Sequence, residues 1–244
     1  MPAFNGKAGE AFTGCFVLFG WGSIRLESAS TMRKLIQGVH SFQTEEFRSY
    51  SGLFRRLSRE GQNPHTLFIT CADSRVLAEL ITGSKPGDLF VVKNVGNIVP
   101  PASVSGPNST AAAVEFAIEG LGVSDIVVCG HTQCGAMVAL FSGIPHAEHQ
   151  PHLAEWLEQA QPVRDAVARS YPEITDPVDL ETVMAEENVL FGLENLKTYG
   201  VVQRALQAGK VRLHGWMFQI RTGKVFAYNS EIGQFEPLTA PEMP

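Results

Sequence analysis

The sequence predicts an α/β protein with a mostly parallel central sheet of four to five strands, flanked by helices and preceded by an N-terminal helical arm. Two observations predict this class. Several short, β-branched runs are almost continuously apolar, which indicates strands buried on both faces, as in a parallel sheet. Segments with helical spacing of apolar residues alternate with these runs, which is the order of strand–helix–strand units.

The predicted strands fall into an early group and a late pair. The three early strands cover residues 65–70, 88–94 and 125–131. The late pair covers residues 211–220 and 224–229, and the turn "RTGK" between them is typical of a hairpin.

The predicted helices lie before and between the strands. They cover residue 32 to about residue 49, then 109–121, 134–141 and 179–199. The Pro-, Gly- and Ser-rich stretch over residues 99–109 is expected to be a loop inside the domain rather than a domain boundary.

Length and composition favour one folded domain. The chain has 244 residues, of which 44% are hydrophobic and 18% charged, and we expect a single catalytic domain over residues 32–244. Residues 1–31 are expected to be a dispensable extension. Its apolar stretch over residues 15–22 faintly resembles a secretory signal, but Arg25 and Glu27 precede any plausible cleavage site and argue against one.

Charge and hydropathy exclude two classes of partner. The net charge is −6 and the isoelectric point about 5.7, whereas nucleic-acid binding needs a basic face. No segment approaches the roughly 18 consecutive apolar residues of a membrane helix. The four cysteines are too few for a disulfide scaffold in a chain of this length, so we expect reduced thiols in a cytoplasmic protein.

Three metal-ligand side chains stand at predicted strand ends. Cys71 follows the first strand, His131 closes the third, and Cys134 comes three residues later. Sites in open α/β sheets form beyond the carboxyl ends of parallel strands, and two thiolates with one imidazole suit Zn²⁺ with an open fourth position. Cys129 is expected to be a core residue, because a fourth thiolate would close the site.

The motifs "CADSR" (residues 71–75) and "HTQC" (residues 131–134) together resemble the β-class carbonic anhydrases, in their plant and cyanobacterial branch. The resemblance covers roughly residues 32–235. It implies a zinc lyase that hydrates carbon dioxide reversibly to bicarbonate and a proton. It also implies homodimers that assemble to tetramers or larger forms, with the helix from residue 32 as an arm, and a location in the cytoplasm or within a carbon-concentrating compartment.

The resemblance also implies the roles of individual residues. Asp73 would accept a hydrogen bond from the attacking water, and Arg75 would keep Asp73 ionised and away from the metal. Gln62 would bind bicarbonate in the partner subunit's site. Phe90 and Val95 would line the carbon dioxide channel.

Two further positions belong to the same comparison. Gly135 would offer a backbone N–H beside the zinc. Phe116 occupies a position where the family often has tyrosine, so any role of that hydroxyl in proton transfer or channel polarity is lost in this chain.

Other interpretations remain at this point. The same fold and ligands would suit a hydrolase of carbon disulfide or carbonyl sulfide, or a catalytically silent zinc scaffold. The motif "HAEHQPH" (residues 146–152) resembles a second metal site, but its prolines favour a loop.

Overall fold

The structure is a computed structural model and describes residues 30–104, 106–144 and 147–240. The predicted extension over residues 1–31 lies outside the described residues except for its last two positions. The described part of the chain divides into two compact units, with the boundary between residues 52 and 53. The prediction of a single domain over residues 32–244 remains a prediction.

The described part of the first unit is helical. Helix α1 covers Ser30–Ser41 and a π-helical turn follows over Phe42–Glu46, after which α2 begins and runs over Phe47–Glu60. The predicted helix is therefore present but ends eleven residues later than expected. Helical spacing of apolar residues continues through Leu57, and the helix ends at Glu60, directly before Gly61, where φ is +83°.

The second unit is built on a sheet of six strands in the order β2-β1-β3-β4-β5-β6. Strands β2, β1, β3 and β4 are parallel, and β5 and β6 are antiparallel additions at one edge. Their bounds are β1 Thr66–Cys71, β2 Leu89–Asn94, β3 Asp125–His131, β4 Arg212–Gln219, β5 Lys224–Asn229 and β6 Gln234–Pro237. The fold class is confirmed, and so is the hairpin of the late pair.

The sheet has one strand more than the upper limit that we predicted. Strand β6 contains only four residues, three of them exposed, and it pairs with β5 on one side. A strand this short and polar has no apolar run, so the hydrophobic pattern does not reveal it.

Seven helices accompany the sheet in the described part of the second unit after α2. Their bounds are α3 Ala78–Thr82, α4 Ser109–Glu115, α5 Gly135–Ser142, α6 Pro151–Glu158, α7 Gln161–Ser170, α8 Pro177–Leu196 and α9 Gly200–Gln207. Helix α4 continues as a π-helical turn over Phe116–Gly120. Asn108 caps α4, because its Oδ1 accepts hydrogen bonds from the N–H groups of Thr110 and Ala111.

The segment around "HAEHQPH" is partly helical, so the predicted loop is only partly right. Ala147–His149 form a 3-10 turn, and Pro151 begins α6 rather than extending a loop. Proline suits the first turn of a helix, since its missing N–H would have no helical partner there. His146 lies outside the described residues.

The sheet buries different side chains on its two faces. Leu67 and Ile69 of β1 and Val128 of β3 belong to the main core, which also contains most of the inward side chains of α8. The alternate residues Phe68 and Cys129 belong to a second, smaller cluster. Parallel β1 and β3 are neighbours with Thr70 in register with Cys129, which brings their carboxyl ends to the same edge of the sheet.

No helix among the described residues is long and apolar enough to cross a membrane.

Candidate metal centre

The three predicted ligands lie together at the carboxyl edge of the parallel strands. Cys71 is the last residue of β1, His131 is the last residue of β3, and Cys134 immediately precedes α5. All three are buried, and one ligand atom from each lies within 4.8 Å of the others. The parallel pairing of β1 with β3 therefore brings together residues that are sixty positions apart in sequence.

The imidazole of His131 is oriented for metal binding. Its Nδ1 donates a hydrogen bond to the carbonyl oxygen of Thr132 at 2.9 Å, which places the proton on Nδ1 and leaves the Nε2 lone pair free. Nε2 is buried and has no hydrogen-bond partner in the described structure. A buried acceptor without a partner is costly, and a cation held with the two neighbouring sulfurs would satisfy it.

The two sulfur atoms also favour a cation. The pKa of Cys71 is lowered below its usual range, above all because Cys134 donates a hydrogen bond to its sulfur. The same contact raises the pKa of Cys134. The N–H groups of Asp73 and Gly96 add hydrogen bonds to the Cys71 sulfur, each at 3.4 Å. Two sulfurs that share one proton can exchange it for a divalent ion, and this donor set of two thiolates and one imidazole fits Zn²⁺.

Cys129 lies outside this group, as predicted. It is fully buried in the smaller core cluster with Phe68 and Val127. Burial raises its pKa to about 12, so it stays a neutral thiol at neutral pH, and it is the thiolate that binds metals.

Asp73 and Arg75 form a bidentate ion pair beside the three ligands. Arg75 Nε donates to Asp73 Oδ1 at 3.0 Å and Arg75 Nη2 donates to Oδ2 at 2.7 Å, while the Arg75 backbone N–H donates to Oδ1 at 2.9 Å. These contacts with Arg75 hold the pKa of Asp73 well below its usual range. Nη2 also donates to the carbonyl oxygen of Gln133 at 3.0 Å, which ties the pair to the turn that carries Cys134.

Val95 and Gly135 lie at the same edge of the sheet as the three predicted metal ligands. Val95 follows the carboxyl end of β2 and is 42% exposed. Gly135 is the first residue of α5, next to Cys134. A Cβ at Gly135 would meet no atom within 4 Å, so space alone does not require glycine at this position.

Gln62 and Phe90 lie towards the opposite edge. Gln62 shares a surface depression with Gly87 and Asp88, which directly precede β2, and Phe90 is in register with Leu67 near the start of β1. A strand rises about 3.3 Å per residue, so β1 separates the two edges of the sheet by roughly 17 Å. Gln62 therefore does not reach the Cys71 sulfur of its own chain.

Phe116 contacts Phe90 through its ring. The two ring centroids are 5.8 Å apart with the planes tilted by 58°, and Phe116 is 50% exposed. The ring thus keeps a packing role although the hydroxyl of a tyrosine is absent.

Several residues of the site were missed by the sequence analysis. Lys93 Nζ donates to the carbonyl oxygens of Asp73 and Val76, at 3.2 and 2.7 Å, and so holds the loop after Cys71. Glu181 and Asn188 contact the site from α8. The sequence did hold one sign of Glu181 and Asn188: they are polar residues seven positions apart on an otherwise strongly apolar face of the helix. Polar residues in such a place are usually buried groups with specific hydrogen-bond partners.

Comparison with known proteins agrees with this geometry. Residues 66–225 match the sequence profile of the carbonic anhydrase family. The solved structure of the β-carbonic anhydrase CcaA superposes with a TM-score of 0.82 at 40% identity, covering 86% of this chain and 100% of that one. The chain belongs to the β-carbonic anhydrase family. The predicted resemblance and the predicted enzyme class are thereby confirmed.

Two other similar proteins show how far the β-carbonic anhydrase likeness extends. A carbonic anhydrase of Synechococcus elongatus is 42% identical over 195 residues, which cover 80% of this chain and 70% of that protein. A β-carbonic anhydrase from the ascomycete Sordaria macrospora, one of two described as tetrameric, superposes with a TM-score of 0.72 at 29% identity. The match covers 82% of this chain and 97% of that one.

Proposed function

We propose that the chain is a zinc enzyme that hydrates carbon dioxide reversibly to bicarbonate and a proton. The observation that carries this proposal is the buried cluster of Cys71, His131 and Cys134, in which the Nε2 atom of His131 has no hydrogen-bond partner among the described residues. These three residues would hold the metal. When bound, zinc supplies Lewis acidity that makes a water molecule acidic enough to lose its proton near neutral pH.

Asp73 is proposed to orient the attacking water. Its Oδ1 already accepts two hydrogen bonds from Arg75, whereas Oδ2 accepts one. A carboxylate oxygen can accept about two, so Oδ2 retains one acceptor site for a water proton. Because Arg75 occupies both oxygens, it keeps Asp73 anionic and restrains it from moving onto the metal.

Substrate contacts are proposed for residues on both edges of the sheet. The exposed apolar side chain of Val95 suits uncharged carbon dioxide, and the N–H of Gly135 can orient bicarbonate beside the metal. Gln62 and Phe90 lie at the other edge of their own chain, so they would serve the site of a second copy. This arrangement requires at least a homodimer. The proposed assembly is a homodimer that pairs further to a tetramer or larger form.

A cytoplasmic location is proposed from the chemistry of the ligands. Cys71 and Cys134 must stay reduced to bind zinc, and thiols stay reduced in the cytoplasm.

One experiment tests the reaction and separates it from the alternatives. The purified protein is assayed for zinc content and for hydration of carbon dioxide by stopped flow, with and without a chelator. One zinc per chain with chelator-sensitive hydration supports the proposal. Zinc without turnover indicates a scaffold, and turnover confined to carbonyl sulfide or carbon disulfide indicates the hydrolase. The matched variants are Cys134→Ala, which should lose zinc, and Cys129→Ala, which should keep it.

A further inference from the structure

Glu181 is a buried carboxylate aimed at the backbone of the metal-binding turn. It lies in the first half of α8 and is only 7% exposed. Its Oε2 accepts the N–H of Gln133 at 2.9 Å, and its Oε1 accepts the N–H of Cys134 at 2.7 Å. A carboxylate is rarely buried without a specific use, and each of its oxygens here has one backbone donor.

The turn that Glu181 holds has an unfavourable backbone conformation. Gln133 has φ of +60°, in the left-handed region that non-glycine residues seldom adopt. Its N–H is bound by Glu181 and its carbonyl oxygen by Arg75, at 2.9 and 3.0 Å. The peptide groups on both sides of Gln133 are thus fixed by charged side chains, and this conformation determines where the Cys134 sulfur lies.

The same helix holds the other sulfur through a second contact. Asn188 Nδ2 donates to the carbonyl oxygen of Gly96 at 2.9 Å, and the N–H of Gly96 donates to the Cys71 sulfur. Glu181 and Asn188 are seven residues apart, which places them on one face of α8 about 10 Å apart along its axis. A single rigid element thus fixes the turns beside both sulfurs.

We propose that Glu181 is a positioning residue for the metal centre. It holds the Gln133–Cys134 backbone in the one conformation in which the Cys134 sulfur faces Cys71 and His131. This inference rests on the proposed function, since it requires that these three residues hold a metal. The carboxylate form matters, because both oxygens must accept. An amide at this position would direct an NH₂ donor at one of the two N–H groups and leave that hydrogen bond unmade.

The test compares Glu181→Gln with Glu187→Gln. Glu187 is on the same helix and also accepts a hydrogen bond, from the hydroxyl of Tyr171 at 2.8 Å, whereas the described hydrogen bonds to the N–H groups of Gln133 and Cys134 come from Glu181. Each full-length protein is stripped of metal and loaded with Co²⁺. Its sulfur-to-cobalt charge-transfer spectrum is recorded, and its affinity is measured against a competing chelator. Circular dichroism and thermal midpoints report whether each variant is folded.

Glu181→Gln is expected to bind Co²⁺ about 10- to 100-fold more weakly, in the range for residues that orient ligands, and with an altered spectrum. Glu187→Gln should match the wild type in both. If Glu181→Gln does not fold, Glu181→Asp is measured in its place. Aspartate keeps two acceptor oxygens on a shorter side chain, so this variant should lose less affinity for Co²⁺. Wild-type affinity and spectrum in a folded Glu181 variant would overturn the inference and leave the proposed function intact. Failure of the wild type to bind metal would overturn both.

Discussion

Arg75 holds both carboxylate oxygens of Asp73, with Nε on Oδ1 at 3.0 Å and Nη2 on Oδ2 at 2.7 Å. A second pair has nearly the same geometry at the opposite edge of the sheet. There Arg212 Nε and Nη2 donate to the two oxygens of Asp125 at 2.8 and 2.9 Å. Of these two pairs, the first adjoins the predicted metal ligands and the second does not, so the two allow a comparison between a pair with a proposed catalytic role and a pair that only stabilises the fold.

Arg75→Ala should reduce carbon dioxide hydration by about 10- to 100-fold. Without the guanidinium, Asp73 is no longer kept ionised and fixed, and it becomes free to approach the metal. Arg212→Ala is the matched control and should retain wild-type turnover. Stopped-flow rates of both zinc-loaded proteins provide the measurement, and full activity in Arg75→Ala would show that the pair is only structural.

Gly96→Ala should destabilise the fold and weaken metal binding together. Gly96 has φ of +78°, and a Cβ there would lie 2.9 Å from the Cβ of Ala136 and 3.2 Å from Cε of Met137. The left-handed conformation costs a non-glycine residue about 1–2 kcal/mol, and overpacking adds about 1–3 kcal/mol.

Gly83→Ala isolates the first of these two costs. Gly83 has φ of +65° but open space around a Cβ, so its replacement should cost only the conformational part and leave metal affinity unchanged. Urea unfolding of both variants gives the comparison. Equal losses of stability would mean that the close approach of Gly96 to α5 has no energetic weight.

Gln62→Ala and Asp73→Asn subunits should complement each other. Each variant alone should have little activity. In a hybrid dimer, the Gln62→Ala chain contributes intact Asp73 and the Asp73→Asn chain contributes intact Gln62, so one site is complete. Random mixing makes half of the dimers hybrid, which predicts recovery of about a quarter of wild-type activity.

Co-refolding the two variants with zinc and assaying the mixture provides the measurement. Mixed wild-type chains are the control for losses during refolding. Activity no greater than the average of the two parents would place Gln62 outside the partner's site.

The stability contributed by Asp125 should disappear in acid. The hydrogen bonds from Arg212 hold the pKa of Asp125 well below its usual range, with smaller contributions from Ser124 and His214. A carboxyl group whose pKa is lowered by folding stabilises the native state at pH values above its unfolded pKa of about 3.9. That contribution is lost as the pH falls towards the folded pKa.

The free energy of unfolding of Asp125→Asn should therefore lie below that of the wild type near neutral pH, and the difference should shrink as the pH falls below about 4. Glu194→Gln is the control, because its exposed pair with Lys197 should contribute little at any pH. A difference for Asp125→Asn that stays constant with pH would mean that its effect is not electrostatic.

The sequence predicts the fold class and the proximity of the candidate metal ligands, because both depend on strong local patterns. Apolar runs mark β1 and β3, and their parallel pairing puts Cys71 and His131 at one edge. The catalytic and substrate roles of Asp73, Arg75, Gln62 and the channel residues stay predictions.

The missed features depend on contacts between distant segments. Strand β6 is stabilised by pairing with β5 and carries no apolar pattern of its own. Glu181 looks like any helical glutamate in sequence, and only packing of α8 beneath the sheet edge places it against Gln133 and Cys134.

The separation of sixty positions between Cys71 and His131 has a consequence for the stability of the protein. An ion shared by the two would act as a removable cross-link that closes this long segment of chain, and such a closure lowers the entropy of the unfolded state more as the segment lengthens. Zinc supply would then determine how long the protein survives proteolysis as well as whether it is catalytically active. The metal-free chain should be cleaved first near the carboxyl ends of β1 and β3.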